Sequence, residues 1–155
     1  MSRTIAHGAR WQTRVSLLLR LILGVLFVVA GVLKLRDPVR FALEISNYQL
    51  IPAASGVMAA VLPMMEILAG IALIVLPRAW RQASALLVLA MVFMFTVAVG
   101  SAYFRGINID CGCFGGAEGP ITGWTLMRNF ALLLASGGIL LLETKLLRAS
   151  STRLR

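Results

Sequence analysis

The chain has 155 residues, of which 59% are hydrophobic and only 14% charged. That excludes a water-soluble globular domain, which needs a larger polar share to cover its surface. The net charge of +9 does not mark a nucleic-acid binder, because the basic residues gather at the termini and in one short loop beside apolar runs. The length suits one domain, and the apolar residues fall in blocks of about twenty, enough to cross a hydrocarbon core.

The stretch from Met1 to Arg14 carries Arg3, Arg10 and Arg14 and no acid. The first apolar run, residues 15–35, is interrupted only by Arg20 and Lys34. It is longer than the ~7–15-residue core of a signal peptide and lacks a small-residue cleavage site, so it reads as an uncleaved helix. Arg20, near its tail end, is expected to snorkel to the interface. Residues 36–52 are polar and amphipathic. Asp37-Pro38 suits a helix start, with Asp at the N-cap and Pro at N1, and Phe41, Ile45 and Tyr48 follow at helical spacing. A short helix lying in the membrane interface is expected there.

The second span, residues 53–76, contains Pro63 and Glu66. A tight basic loop from Pro77 to Gln82 carries Trp80 as an interfacial aromatic, and the third span covers 83–104. Residues 105–123 form a long loop that holds both cysteines. The fourth span covers 124–142, and the tail adds Lys145, Arg148, Arg153 and Arg155. No repeat or linker divides the chain. The expected fold is all-α: an integral membrane four-helix bundle with a short interfacial helix between spans one and two.

Four spans put both tails and the middle loop on one side. That side carries nine basic residues (Arg3, Arg10, Arg14, Arg78, Arg81, Lys145, Arg148, Arg153, Arg155) against four on the other (Lys34, Arg36, Arg40, Arg105). The asymmetry predicts a multi-pass protein of the inner (cytoplasmic) membrane with both termini cytoplasmic. The cysteine loop then faces outward, which in a Gram-negative bacterium is the periplasm, a compartment that favours disulfides.

The loop reads Asp110-Cys111-Gly112-Cys113-Phe114-Gly115-Gly116. A disulfide across one residue closes a very small ring, so it removes little unfolded-state entropy. It is also strained, and strained disulfides are easily reduced. Gly112 permits the backbone such a ring demands. A poor staple is a good exchange site, and redox exchange is the favoured reading over a static bridge. A closed zinc site needs four ligands, and the single histidine, His7, is expected on the opposite side; copper(I) would need ligands from a partner or from methionines. No metal is assigned.

Asp110 has two readings, a turn residue before a Gly-rich bend or a proton acceptor for a thiol. Arg105 either stabilises a thiolate or stands solvated. Glu66 lies near the middle of its span, where an ionisable group is costly and a functional candidate. Lys34 and Arg128 lie near the loop-side ends of their spans and are its candidate partners, so a buried polar cluster below the cysteines is expected. Its roles stay open between tuning a cysteine, moving a proton, holding a polar ligand and locking the helices. Asn129 adds a further polar group at that level. Trp124 is a belt aromatic, Met64, Met65, Met91 and Met94 are expected in the core, and Gly24, Gly31, Gly70, Gly137 and Gly138 are expected at close helix approaches.

Gly31-x-x-Lys34, Asp37-Pro38, Phe41, Tyr48, Pro52, Glu66-x-x-x-Gly70, Arg105-Gly106, Asp110-Cys111-Gly112-Cys113-Phe114-Gly115 and Arg128-Asn129 together resemble the MauE branch of the DoxX-like membrane proteins. The resemblance runs from the first span to the fourth, and the cysteine loop is its most specific part. It implies a four-helix membrane bundle associated with making or maintaining the disulfides of a periplasmic dehydrogenase subunit. Other DoxX-like proteins are linked to thiosulfate and quinone or to partner oxidoreductases. Carried over by residue, it makes Cys111 and Cys113 the redox pair and leaves Lys34, Glu66 and Arg128 as matching polar positions without an assigned role. Unlike the quinone-coupled enzymes that relay between two cysteine pairs, this chain has one pair.

The expected function is therefore a membrane thiol–disulfide oxidoreductase with Cys111, Cys113, Asp110, Glu66, Lys34 and Arg128 as its site. A quinone is the candidate cofactor, and an extracytoplasmic thiol or disulfide protein the partner; self-association stays open. One alternative is a non-catalytic membrane subunit or assembly factor that docks a soluble redox protein or delivers a metal. Another is a small transporter with Glu66 and Lys34 lining its path.

Overall fold

The computed structural model describes residues 2–107, 109 and 120–152. Asp110, Cys111 and Cys113 lie outside the described residues. The elements are α1 (Ser2–Arg36), α2 (Pro38–Asn47), a 3₁₀ turn (Pro52–Ala54), α3 (Ser55–Val75), α4 (Arg78–Phe104) and α5 (Gly123–Thr152). Among the described residues, four segments are long and apolar enough to span a membrane: Thr13–Arg36, Pro52–Val75, Trp80–Phe104 and Gly123–Lys145.

Local sequence sets the ends. Asp37, at φ −141° and ψ 77°, stops α1 and caps α2: its side chain accepts from the Arg40 N–H at 2.9 Å, and Pro38 follows in the first turn. The sequence predicted this start. Three expected boundaries differ, one of them at α5, which runs on to Thr152 where a tail was expected after 142. The amino-terminal basic stretch is helical from Ser2, because no proline interrupts α1 before Pro38. α4 begins at Arg78, directly after Pro77, so the basic loop shrinks and Arg81 belongs to the first turn of a helix.

α1 packs chiefly on α3, and α4 on α5; contacts between α3 and α4 and between α1 and α5 close the ring. The core holds Leu23, Phe27, Leu73, Val88, Met91 and Ile139. α2 lies on α3, where Phe41 is buried against Ala59 and Leu62.

The α1–α3 seam is made of glycine. A Cβ on Gly70 would lie 2.6 Å from the Gly24 carbonyl oxygen, and one on Gly31 would lie 2.7 Å from that of Pro63. Only hydrogen fits at these positions, as at other small-residue helix crossings. Gly137 and Gly138 do not share this role, since a Cβ on either meets none of the described residues within 4 Å. The methionines divide as well: Met91 is buried and Met65 packs on the core, but Met64 and Met94 face outward.

Candidate functional site

The chain brings Lys34, Glu66 and Arg128 to one place near the end of the bundle that bears the cysteine loop. They line a cavity of about 50 Å³ together with Asn129 and Phe95, so α1, α3, α4 and α5 all contribute. Helix direction explains the meeting. A helical Cα–Cβ bond tilts toward its own N-terminus. α1 rises toward the loop end and α3 descends from it, so Lys34 leans into the bundle and Glu66 leans up to meet it. The Lys34 ammonium donates to Glu66 Oε1. It also sits 4.6 Å from the ring centre of Phe95 and 5.2 Å from that of Phe41, so two aromatic faces share the cation. Lys34 is 1% exposed and Glu66 3%. Glu66 Oε2 and Asn129 Nδ2 are buried without a hydrogen-bond partner among the described residues.

The two limbs of the cysteine loop are fastened at their base. α4 ends in a Schellman turn: the Gly106 N–H donates to Tyr103 O at 3.1 Å and the Ile107 N–H to Ala102 O at 3.0 Å. Gly106 sits at φ +68°, in the left-handed region that the turn requires. The Arg105 guanidinium donates to Tyr48 O at 3.1 Å and Gln49 Oε1 at 3.2 Å. It ties the loop's start to the connection after α2 while the side chain stays exposed. The Ile121 N–H donates to Ile109 O at 3.0 Å and closes the neck of the loop. Thr125 Oγ1 then accepts the Thr122 N–H at 3.2 Å, a side-chain cap at the head of α5.

A second polar cluster at the tail end escaped the sequence reading. Arg20 is 5% exposed and does not snorkel outward. Its Nε donates to Leu73 O at 2.9 Å and its Nη2 to Ile74 O at 3.0 Å. Proline 77 has no N–H for the Leu73 carbonyl, so the last turn of α3 presents a bare acceptor and a negative dipole end to the cation. Glu143 completes the group, 3.8 Å from Arg20 Nη1 and accepting from Ser16 Oγ at 2.6 Å. Glu143 shares a helix face with Asn129 and Ser136 at seven-residue steps, a phase that extending the fourth span past 142 would have revealed. Glu44 is the other missed residue. It is 7% exposed, in phase with Phe41, Ile45 and Tyr48, and its Oε1 accepts from Arg40 Nε at 3.2 Å.

Four apolar spans with charges buried between them define a multi-pass α-helical membrane protein. Within that class the affiliation is specific: the profile of the family described as methylamine utilisation protein MauE matches residues 12–142, and the chain belongs to that family. A similar protein is the methylamine utilization protein MauE of Paracoccus denitrificans, 37% identical over 116 residues, which are 74% of this chain and 62% of the relative. The matched region thus spans less than two thirds of that relative's length. No solved structure matches.

Proposed function

We propose that this chain is a membrane thiol–disulfide oxidoreductase of methylamine utilisation, with Cys111 and Cys113 on the outer face of the inner membrane and both termini in the cytoplasm. A thiolate of an extracytoplasmic partner attacks the Cys111–Cys113 disulfide. One sulfur of the pair leaves as a thiolate and takes up a proton, and a mixed disulfide forms. The partner's second thiolate resolves it. The partner departs oxidised, and the pair, now a dithiol, holds two electrons and two protons for a lipid-phase acceptor. Asp110 takes and returns the proton of the neighbouring thiol.

The observation that carries this reading is the setting of the loop. Its neck, fastened at Ile109–Ile121 and through Arg105, stands at the end of the bundle where buried Lys34, Glu66 and Asn129 and half-buried Arg128 line one cavity. Buried charge of this kind in a membrane bundle supports chemistry at the adjoining surface.

Trapping tests it. By the reverse of this exchange, the lone Cys111 thiolate of Cys113→Ser should attack the disulfide of the oxidised partner and accumulate as a mixed disulfide if Cys111 is the attacked sulfur, and Cys111→Ser should do so in the opposite case. The purified pair should titrate as one reversible two-electron couple. A pair that never titrates, with both variants active in vivo, leaves the non-catalytic assembly factor as the better account.

A further inference from the structure

The single cysteine pair needs an electron acceptor, and the fold has a second cavity that suits one. It lies between α2, α3 and α4 at the loop end and has a volume of about 350 Å³, within the roughly 300–1,000 Å³ range of small-molecule sites. Among the described residues, Glu44 and Tyr48 are the only side chains with polar groups in its lining; the remainder is aromatic and aliphatic. Resting on the dithiol reading, we propose that this cavity is the binding site of a membrane quinone headgroup, the oxidant of the Cys111/Cys113 dithiol.

Three observations point to that occupant. The rim includes Phe93, 58% exposed, and Val97, 53% exposed, on the face of α4 turned away from the bundle. In a spanning helix that face meets hydrocarbon, so the ligand enters from the lipid phase and is itself lipophilic. The inner wall includes Phe41 and Phe95, the two rings against which Lys34 holds its ammonium. The Lys34–Glu66 pair turns its ammonium end toward this aromatic wall, and a dipole oriented so favours negative charge as it develops on a bound ring during reduction. Tyr48, in the lining, is also the residue whose carbonyl receives Arg105 at the start of the cysteine loop, so the cavity rim and the loop base are one connected structure. The step balances: two thiols and one quinone give one disulfide and one quinol, with two electrons and two protons transferred.

The test is photolabelling of the full chain in lipid nanodiscs with an azido-substituted benzoquinone, mapped by peptide mass spectrometry. Label is expected on peptides of α2 and α4, displaced by a short-tailed benzoquinone. Two cavity-filling variants from different helices, Ala98→Phe and Met58→Trp, should each lower labelling on the order of tenfold while eluting as monodisperse protein, since occupied ligand volume is what they remove. Label scattered over the outward faces, indifference to both variants, or equal displacement by phospholipid overturns the site. The two proposals fail separately. Cys111→Ser/Cys113→Ser should still label at the cavity, so labelling without any thiol exchange strikes only the dithiol reading. A wild-type pair that exchanges with its partner, and that quinone reoxidises equally well in both filled variants, strikes only the cavity.

Discussion

Lys34 and Glu66 meet in the interior of the bundle, where each charge is expensive alone. Removing one partner of a buried pair leaves the other uncompensated, at a cost of about 3–5 kcal/mol, whereas replacing both with apolar residues of similar volume is near neutral. Glu66→Ala and Lys34→Ala are therefore each expected to lower unfolding free energy by about that amount, and Lys34→Met/Glu66→Leu to recover most of it, as measured by denaturation in micelles. The double variant separates structure from function. If the pair only locks α1 to α3, the recovered protein keeps its thiol exchange and its reoxidation by quinone. If Lys34 acts on the acceptor through the walls of Phe41 and Phe95, the same well-folded protein loses reoxidation first. Arg20 and Glu143 give a control at the far end of the bundle. Their contacts run to helix carbonyls and Ser16, so Glu143→Gln should change stability and leave exchange untouched.

At the scale of the element, the α1–α3 contact depends on side chains that are not there. Gly70→Val would press methyl groups against the Gly24 carbonyl and Val28, 2.6 Å and 2.9 Å from the position of a Cβ. Overpacking of this order costs about 1–3 kcal/mol. Gly137→Ala meets open space, and the gain in helix propensity is up to about 1 kcal/mol. Thermal unfolding in micelles should thus move in opposite directions for two substitutions that hydropathy scores alike. The contrast also explains what was legible in the sequence. The four spans, the Asp37 cap and the Lys34–Glu66–Arg128 group could be read because each breaks or bounds a long apolar run. Glycine spacing indicated close approach at Gly24, Gly31 and Gly70, but it could not say that Gly137 and Gly138 face no neighbour, which depends on how α5 is rotated in the ring. Glu44 and Glu143 were hidden for a related reason. Each sits just outside the residues taken as apolar stripe or span, and only its helical phase with Phe41 or Ser136 turns it inward. Arg20 was misread because its partner, the acceptor left bare by Pro77, belongs to the backbone of another helix.

For the whole molecule, everything proposed about the chemistry depends on which way the bundle stands. The ring order α1–α3–α4–α5 puts the cysteine loop, α2, the Lys34–Glu66 group and the quinone cavity at one end, and both termini with the Arg20–Glu143 group at the other. The proposed orientation, with the terminal end in the cytoplasm, rests on the nine-to-four distribution of basic residues. A disulfide-making pair then works where disulfides persist, and the strong thiol reductants of the cytoplasm cannot short-circuit it. A membrane-impermeant maleimide applied to intact spheroplasts after mild reduction should therefore label Cys111 and Cys113 in the wild type. With both replaced by serine, a reporter at Ser151→Cys should label only after lysis. The reverse pattern would put the pair among cytosolic reductants, where it would be held as a dithiol. The bundle would keep its fold and its cavity, but the direction of electron flow from partner to pair to quinone would lose its physical basis.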